Sequence, residues 1–307
     1  MSDFLTGGLA RNFLAGSWVD GDKGASIAVE DPGNQDHVAD CARAGEQSVG
    51  KALDAARASF EQGGLPDMNP VERSRLMIRI GQEIRNISDE GAEVPAGAVS
   101  ILNGIGSDLG AKLVASSQVD QIVFTGSVPT GQRILRSTAD NVIPSLMELG
   151  GKSAAVAFED ADLDTLMSSL QSGIFYNAGQ VCSAMARVLV HRSVYDQAVE
   201  RAASRVAQEE AFGPVTCFIP FDTEAEAVAM ANGTEFGLVA GVFTRDLARA
   251  HRVARKLRAG QVFVNEWFAG GISTPFGVGK SGFGREKGLE ALYNYVRTKN
   301  NAISLKG

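Results

Sequence analysis

The chain alternates short apolar strands with amphipathic helices over most of its 307 residues, and this alternation constrains the fold more than any other feature. Segments 121–124, 154–158, 187–191 and 238–244 are each strand-like and each followed by a stretch with helical periodicity. Repeated β-then-α units favour an α/β fold with doubly wound, mostly parallel sheets. Active residues are then expected at the carboxyl ends of the strands. The pattern by itself names no reaction.

Charge and cysteine content narrow the class of protein. The net charge of −7 argues against a nucleic-acid or anionic-membrane partner. Three cysteines in a chain of this length do not suggest a disulfide framework, so a reducing compartment is favoured. No apolar run approaches a membrane span, and the N-terminus lacks the pattern of a signal peptide. We therefore expect a cytoplasmic protein with no membrane partner.

Cys182 is the first candidate for chemistry. It lies in Asn177-Ala-Gly-Gln-Val-Cys182-Ser-Ala, just past a helical stretch. If a further helical turn begins at the cysteine, the helix dipole favours the nucleophilic thiolate. The motif alone leaves open a buried core cysteine, which is the commoner case.

Glu148 is the second candidate, in Met147-Glu-Leu-Gly-Gly-Lys-Ser153 at the end of an apolar strand. A carboxylate in such a place is costly unless it is paired or used. Burial disfavours its charged form, which suits a general base near neutral pH. A salt bridge to Lys152 or another cation is the alternative.

The remaining motifs are weaker indications of function. Gly126, Ser127 and Gly131 follow a strand and open a helix, where backbone N–H groups and the helix dipole favour a phosphate. Glu210 is placed to bind sugar hydroxyls beside the aromatic face of Phe212, or else stands in a surface turn. The three histidines are scattered without ligand spacing, so no metal site is expected.

Taken together, these motifs resemble the aldehyde dehydrogenase superfamily in nearly the whole chain. The resemblance is close in four segments, which are Phe124–Ser127, Met147–Ser153, Gly179–Cys182 and Glu210–Pro214. It extends to the C-terminal runs Val264–Trp267, Pro275–Gly277 and Lys280–Gly288 and to the N-terminal segment Phe13–Phe60. The spacing from Glu148 to Cys182 also matches the family. This combination outweighs the alternatives left open for each motif alone.

The resemblance implies an NAD(P)-dependent oxidation of an aldehyde to an acid. Cys182 is the implied nucleophile and Glu148 the implied general base. The residues implied to bind NAD or NADP are Thr125, Gly126, Ser127, Gly131, Leu149, Glu210 and Phe212. Trp267 and Phe268 are expected near the substrate funnel, and a homo-oligomer is possible. The implied domains are a cofactor-binding part at 1–148, a catalytic part at 149–290 and an extended tail at 291–307.

The chain also departs from the family, since two internal blocks are missing near residues 89–94 and 206–208. The first would carry a Pro-Trp-Asn segment, whose asparagine helps to form the oxyanion hole, and a Lys-Pro segment, whose lysine binds the adenosine ribose. Neither a Trp-Asn nor a Lys-Pro dipeptide occurs in the sequence. We therefore expect an incomplete cofactor-binding sheet. Two further hypotheses remain, which are an impaired member acting as a binding module and a residual thiol esterase.

Overall fold

The computed structural model describes residues 5–6, 8–62, 64–86, 95–206, 215–268, 279–284, 286–296 and 298–304. Contacts divide the chain into two compact units. The first comprises 1–121 and 136–143, and the second comprises 122–135 and 144–307. Within the described residues, no helix is both long and apolar enough to cross a bilayer.

The first unit combines small sheets with helices. Its strands and α-helices are β1 (Leu5–Thr6), β2 (Leu9–Ala10), β3 (Asn12–Leu14), β4 (Ser17–Val19), β5 (Ser26–Glu30), β6 (His37–Ala42), α1 (Glu46–Glu61), α2 (Pro70–Asn86) and α3 (Ala111–Val114). Strands β1, β2, β6 and β5 form one sheet, and β3 pairs with β4 in a hairpin. A single π-helical turn over Gly106–Gly110 leads into α3.

The start of α2 shows how local sequence sets a helix boundary. Asn69 is followed by Pro70, whose fixed φ suits the first helical position. The Asn69 Oδ1 accepts hydrogen bonds from the N–H groups of Val71 and Glu72, both at 3.0 Å. Glu72 accepts the Asn69 N–H in return at 3.4 Å, which completes a capping box.

A five-stranded sheet forms the larger part of the second unit. All of its strands are parallel, in the order β11-β10-β9-β12-β13. The strands are β9 (Ala154–Ala157), β10 (Arg187–His191), β11 (Cys217–Phe221), β12 (Val239–Phe243) and β13 (Gln261–Val264). The helices that connect them are α5 (Leu163–Leu170), α6 (Arg192–Val206), α7 (Glu224–Ala231) and α8 (Leu247–Lys256).

Apolar packing covers both faces of this sheet. Alternate residues of β9 enter different clusters: Ala155 and Ala157 pack in one, and Ala154 and Val156 pack in the other. Every residue of β9 and β12 is buried, as expected for strands with helices on both sides. The α/β fold with mostly parallel sheets is thereby confirmed.

A three-stranded sheet completes the second unit, in the order β14-β8-β7. Its strands are β7 (Ile122–Thr125), β8 (Ser145–Glu148) and β14 (Gly282–Phe283). Helix α4 (Val128–Ala139) connects the parallel pair β7 and β8. Strand β14 is antiparallel to β8 and comes from the C-terminal part of the sequence.

The expected domain boundary at 148/149 stays a prediction. Contacts group β7 and β8 with the C-terminal half, where β14 pairs with β8. The tail from residue 291 is not extended throughout, since Leu289–Tyr295 forms a 3₁₀ helix. The described residues that follow have no regular secondary structure.

Candidate active site

Glu148 is the last residue of β8, the central strand of the three-stranded sheet. It is 5% exposed, and its register partner on β7 is Thr125. The Glu148 carbonyl accepts the Gly126 N–H at 3.0 Å, so the ladder continues into the turn after β7. Strand β7 therefore fixes the backbone of Glu148 on one side.

Strand β14 fixes Glu148 on the other side, where Gly282 is its register partner. Gly282 has a φ of +122°, and a Cβ built there would lie 1.7 Å from the Met147 carbonyl oxygen. Only glycine fits so close to another backbone. The neighbouring Ser281 accepts the Leu149 N–H through its carbonyl oxygen at 2.8 Å. Strand β14 is not predictable from the sequence, because two residues carry no periodicity.

Cys182 lies in a turn between two elements and its side chain is exposed. The Ala184 N–H bonds to the Val181 carbonyl at 3.0 Å, which closes a single turn. Strand β10 follows at Arg187. No helix begins at the cysteine, so the helix dipole expected to favour its thiolate is not present. An isolated core cysteine is also the wrong interpretation, since the residue is exposed.

The backbone that leads to Cys182 has an uncommon conformation. Asn177, Ala178 and Gly179 have φ values of 52°, 54° and 73°, which lie in the left-handed region. This region costs an L-residue such as alanine roughly 1–2 kcal/mol. The Asn177 side chain donates to the Gln180 carbonyl at 3.2 Å and supports the turn. Strained backbone of this kind is often concentrated at functional sites.

The glutamate and cysteine segments meet at Gly151. A Cβ built on Gly151 would lie 2.7 Å from the Cys182 carbonyl oxygen. Gly151, Lys152 and Cys182 line the same open cavity of about 440 Å³, together with Ile174, Ala178, Gly179, Gln180, Val181, Ala184, Ala186 and Val215. The fold thus brings together the two segments that sequence analysis selected.

Arg187 connects these two segments a second time. Its Nε donates to the Lys152 carbonyl at 3.0 Å, and its backbone N–H donates to the Ser153 carbonyl at 3.1 Å. The guanidinium also donates to the carbonyls of Met230 and Ala231 at 2.8 and 2.9 Å. Burial lowers the pKa of Arg187 from its ordinary value. Five residues after the cysteine, this arginine therefore anchors the loop that follows Glu148.

The site uses opposite edges of the two sheets. Glu148 ends β8, as the rule for parallel strands predicts. Cys182 instead precedes β10, at the amino edge of the five-stranded sheet. At the carboxyl edge, between β9 and β12, the Asp160 carboxylate accepts hydrogen bonds from the Thr244 hydroxyl and the Arg245 N–H at 2.8 and 3.0 Å. At this edge the protein's own groups bind the Asp160 carboxylate, and Cys182 lies at the edge opposite to the one where active residues were expected.

Comparison with known proteins decides the family. The model of the aldehyde dehydrogenase family matches residues 18–93, 86–208 and 201–301, which together span most of the chain. The chain belongs to the aldehyde dehydrogenase family. The three matches break near the two places where sequence analysis indicated missing blocks.

Betaine aldehyde dehydrogenases are among the curated relatives of this chain. The protein from Cereibacter sphaeroides is 34% identical over 284 residues, covering 70% of this chain and 59% of that protein. The chloroplastic protein from Atriplex hortensis is 32% identical over 278 residues, covering 67% of this chain and 55% of that protein. The chain thus spans less than two thirds of the length of these relatives.

Solved aldehyde dehydrogenases share the fold. The NAD⁺ complex of the enzyme from Bacillus cereus aligns with a TM-score of 0.91 at 23% identity, over 96% of each chain. Betaine aldehyde dehydrogenase from Staphylococcus aureus aligns with a TM-score of 0.86 at 20% identity, over 93% of this chain and 92% of that chain. At these identities the likeness establishes the architecture alone.

The residues expected at the cofactor diphosphate lie at the start of α4. Ser127 precedes the helix, and its hydroxyl donates to Thr130 Oγ1 at 3.0 Å and accepts the Thr130 N–H at 3.4 Å. Because Pro129 has no N–H and that of Thr130 is already bonded, the helix dipole, rather than the N–H groups at these two positions, favours an anion at this turn. At Gly126 a Cβ would lie 2.5 Å from Cζ at the tip of the Phe124 ring, so a side chain there would require this ring to move.

The remaining expected cofactor residues divide into two groups. A Cβ built on Gly131 would lie 2.8 Å from the Leu149 side chain, so helix α4 packs closely on the residue that follows β8. The last residue of β8 pairs with Thr125. Glu210 and Phe212, expected at the nicotinamide ribose, lie outside the described residues. Among the described residues, no group of three His, Cys, Asp or Glu side chains is placed to hold a metal.

Proposed function

We propose that this chain oxidises an aldehyde to a carboxylic acid with NAD(P)⁺, using Cys182 as nucleophile and Glu148 as general base. The observation that carries the proposal is the approach of Gly151 to the Cys182 carbonyl, because it joins the two motif segments at one cavity. Betaine aldehyde belongs in the substrate panel, since the relatives described above are betaine aldehyde dehydrogenases.

The chemistry of Cys182 follows from its exposed thiol. The thiolate adds to the aldehyde carbon, and the C=O π electrons move to the oxygen to form a thiohemiacetal oxyanion. Bound NAD(P)⁺ would supply the hydride acceptor; as the hydride leaves the carbon, the C=O bond re-forms and a thioester on Cys182 remains. Backbone N–H groups beside Cys182 would supply one part of the oxyanion hole.

Glu148 completes the cycle. Its carboxylate takes a proton from water as the water oxygen attacks the thioester carbon, which releases the acid and regenerates the thiolate. The position of Glu148 supports this role, since the residue is buried and both neighbouring strands fix its backbone.

A residual thiol esterase is the second candidate. Cys182 and Glu148 are both present, and both belong to the second unit. The sequence lacks the Trp-Asn and Lys-Pro dipeptides, which would carry the oxyanion-hole asparagine and the ribose-binding lysine. Loss of one oxyanion-hole donor typically costs 10²–10³ in rate, or about 2.7–4 kcal/mol. Both reactions pass through an oxyanion and bear this cost, but ester hydrolysis needs no nicotinamide. It would therefore persist where loss of the ribose-binding lysine weakens cofactor binding.

One absorbance experiment separates these candidates. Purified protein is mixed with a panel of aldehydes and NAD⁺ or NADP⁺, and reduced nicotinamide is followed beside ester hydrolysis without cofactor. For a dehydrogenase we expect reduced nicotinamide to form in wild type and to be abolished in Cys182→Ala. Ester hydrolysis alone, lost in Cys182→Ala, supports the esterase. Neither activity from a folded protein refutes both and leaves the impaired binding module.

Glu148→Gln provides the second variant, because it keeps the shape of the side chain and removes the base. We expect a first, stoichiometric turnover followed by slow steady-state release of the acid, since thioester hydrolysis then lacks its base. A steady-state rate equal to that of wild type would contradict the role of Glu148.

A further inference from the structure

Trp267 lies next to the cysteine turn but is buried. It follows β13 and is 4% exposed, within the core cluster on one face of the five-stranded sheet. Its ring centroid is 5.4 Å from that of Phe263. So little exposed surface leaves little of the ring to contact a substrate. The neighbouring Phe268, 38% exposed, has more of its ring available for such a contact.

The indole N–H of Trp267 reaches the backbone beside the nucleophile. Nε1 donates to the Ser183 carbonyl oxygen at 3.2 Å, and Ser183 directly follows Cys182. The indole nitrogen is the only polar atom of the tryptophan side chain, and it can only donate. This bond therefore links the core of the sheet to the turn that carries the thiol.

Two glycines create the space in which the indole lies. A Cβ on Gly173 would be 3.0 Å from Cδ1 of Trp267, and a Cβ on Gly241 would be 2.8 Å from its Cζ3. Gly173 also accepts the Met185 N–H at 2.8 Å through its carbonyl. The turn is thus held at Ser183 by the indole and at Met185 by the backbone that packs on the same ring.

We propose that Trp267 is a positioning residue that holds the Cys182 turn through the Nε1 bond to Ser183. The turn needs this support because the cysteine is exposed, a single backbone bond closes the turn and the preceding residues are in the left-handed region. The role of Trp267 in the reaction rests on the proposed function, whereas its effect on the turn does not.

Trp267→Phe tests the proposal, because it keeps an aromatic ring in the core and removes the N–H. Trp18→Phe is the matched control, since Trp18 is the other tryptophan and packs on Phe13 in the first unit. Hydrogen exchange of the peptide covering residues 176–186 is measured in both variants and in wild type. We expect exchange to be about ten-fold faster or more in Trp267→Phe and unchanged in Trp18→Phe.

Kinetics give the second measurement, using whichever Cys182-dependent reaction wild type performs. We expect kcat to fall about ten-fold or more in Trp267→Phe with KM changed by less than about two-fold, because a displaced nucleophile weakens the reaction more than binding. Unchanged exchange in the 176–186 peptide overturns the proposal. If wild type is inactive while exchange in Trp267→Phe rises, the proposed function fails and the positioning of the turn stands.

A third measurement covers the case in which Trp267→Phe does not fold. In Trp18→Phe, Trp267 is the only tryptophan, so fluorescence reports on it alone. We expect alkylation of Cys182 with iodoacetamide to shift or quench this emission, and Cys182→Ala in the same background to show no such change. Emission that does not respond to complete alkylation contradicts coupling between the indole and the turn.

Discussion

Gly150 and Gly151 follow Glu148 in sequence but differ in what surrounds them. A Cβ on Gly151 would lie 2.7 Å from the Cys182 carbonyl oxygen and 3.1 Å from Cβ of Leu238. A Cβ on Gly150 meets nothing within 4 Å, and Gly150 is not in the left-handed region. An added methyl group would therefore collide with the Cys182 segment at position 151 and would meet open space at position 150.

We expect Gly151→Ala to displace the cysteine turn. Overpacking of this kind typically costs 1–3 kcal/mol, so urea unfolding should show a loss of about that size. The Cys182-dependent rate should fall by about ten-fold or more, because the turn moves relative to Glu148.

Gly150→Ala is the control for this prediction. It should leave the rate unchanged and shift stability by less than about 1 kcal/mol, with a small gain possible because alanine restricts the unfolded chain. Equal effects of the two substitutions would show that the approach of Gly151 to Cys182 does not hold the site together.

Among the elements, helices α7 and α8 are joined by two ion pairs, in which two cations of α8 share one carboxylate of α7. Glu224, in the first turn of α7, accepts hydrogen bonds from the side chains of Arg252 at 2.6 Å and Lys256 at 3.2 Å. The Arg252 hydrogen bonds lower the pKa of Glu224 to about 2, with partial burial opposing and Lys256 reinforcing the shift. Because the folded pKa lies below the unfolded one, this contribution to stability is present above about pH 4.5 and is lost as pH falls toward 2.

We expect Glu224→Gln to lower the free energy of unfolding by roughly 1–2 kcal/mol at pH 7, after allowance for solvent screening. The difference from wild type should fall by more than half at pH 3, since most unfolded chains then carry a protonated Glu224. Urea unfolding at both pH values measures this. Glu61→Gln, at an exposed end of α1, is the control and should change stability by less than about 0.5 kcal/mol. A difference independent of pH would contradict the assignment.

For the whole molecule, the missing blocks bear on cofactor affinity. The chain spans 59% of the length of its relative from Cereibacter sphaeroides and lacks the Lys-Pro segment implied to bind the adenosine ribose. We therefore expect NAD⁺ to bind less than about ten-fold more tightly than nicotinamide mononucleotide, which corresponds to under about 1.4 kcal/mol. Thermal-shift titration of both compounds measures this ratio. A preference for NAD⁺ of several orders of magnitude would show that other residues bind the adenosine half.

Much of the fold follows from local sequence. Alternating apolar segments predicted the parallel strands, and β10 begins and ends at Arg187 and His191 as expected. The glutamate and cysteine motifs identified a family that the comparison confirmed. These features are predictable because periodicity, capping and motif spacing act over a few neighbouring residues.

The sequence by itself thus determined the α/β class, the family and the two candidate catalytic residues. Only the tertiary structure placed Gly282 opposite Glu148, Gly151 against Cys182 and the indole of Trp267 beneath Ser183. It also placed Cys182 at the amino edge of its sheet. The physical reason is that these contacts join residues far apart in sequence, and such contacts depend on how closely packed backbones approach rather than on any local pattern.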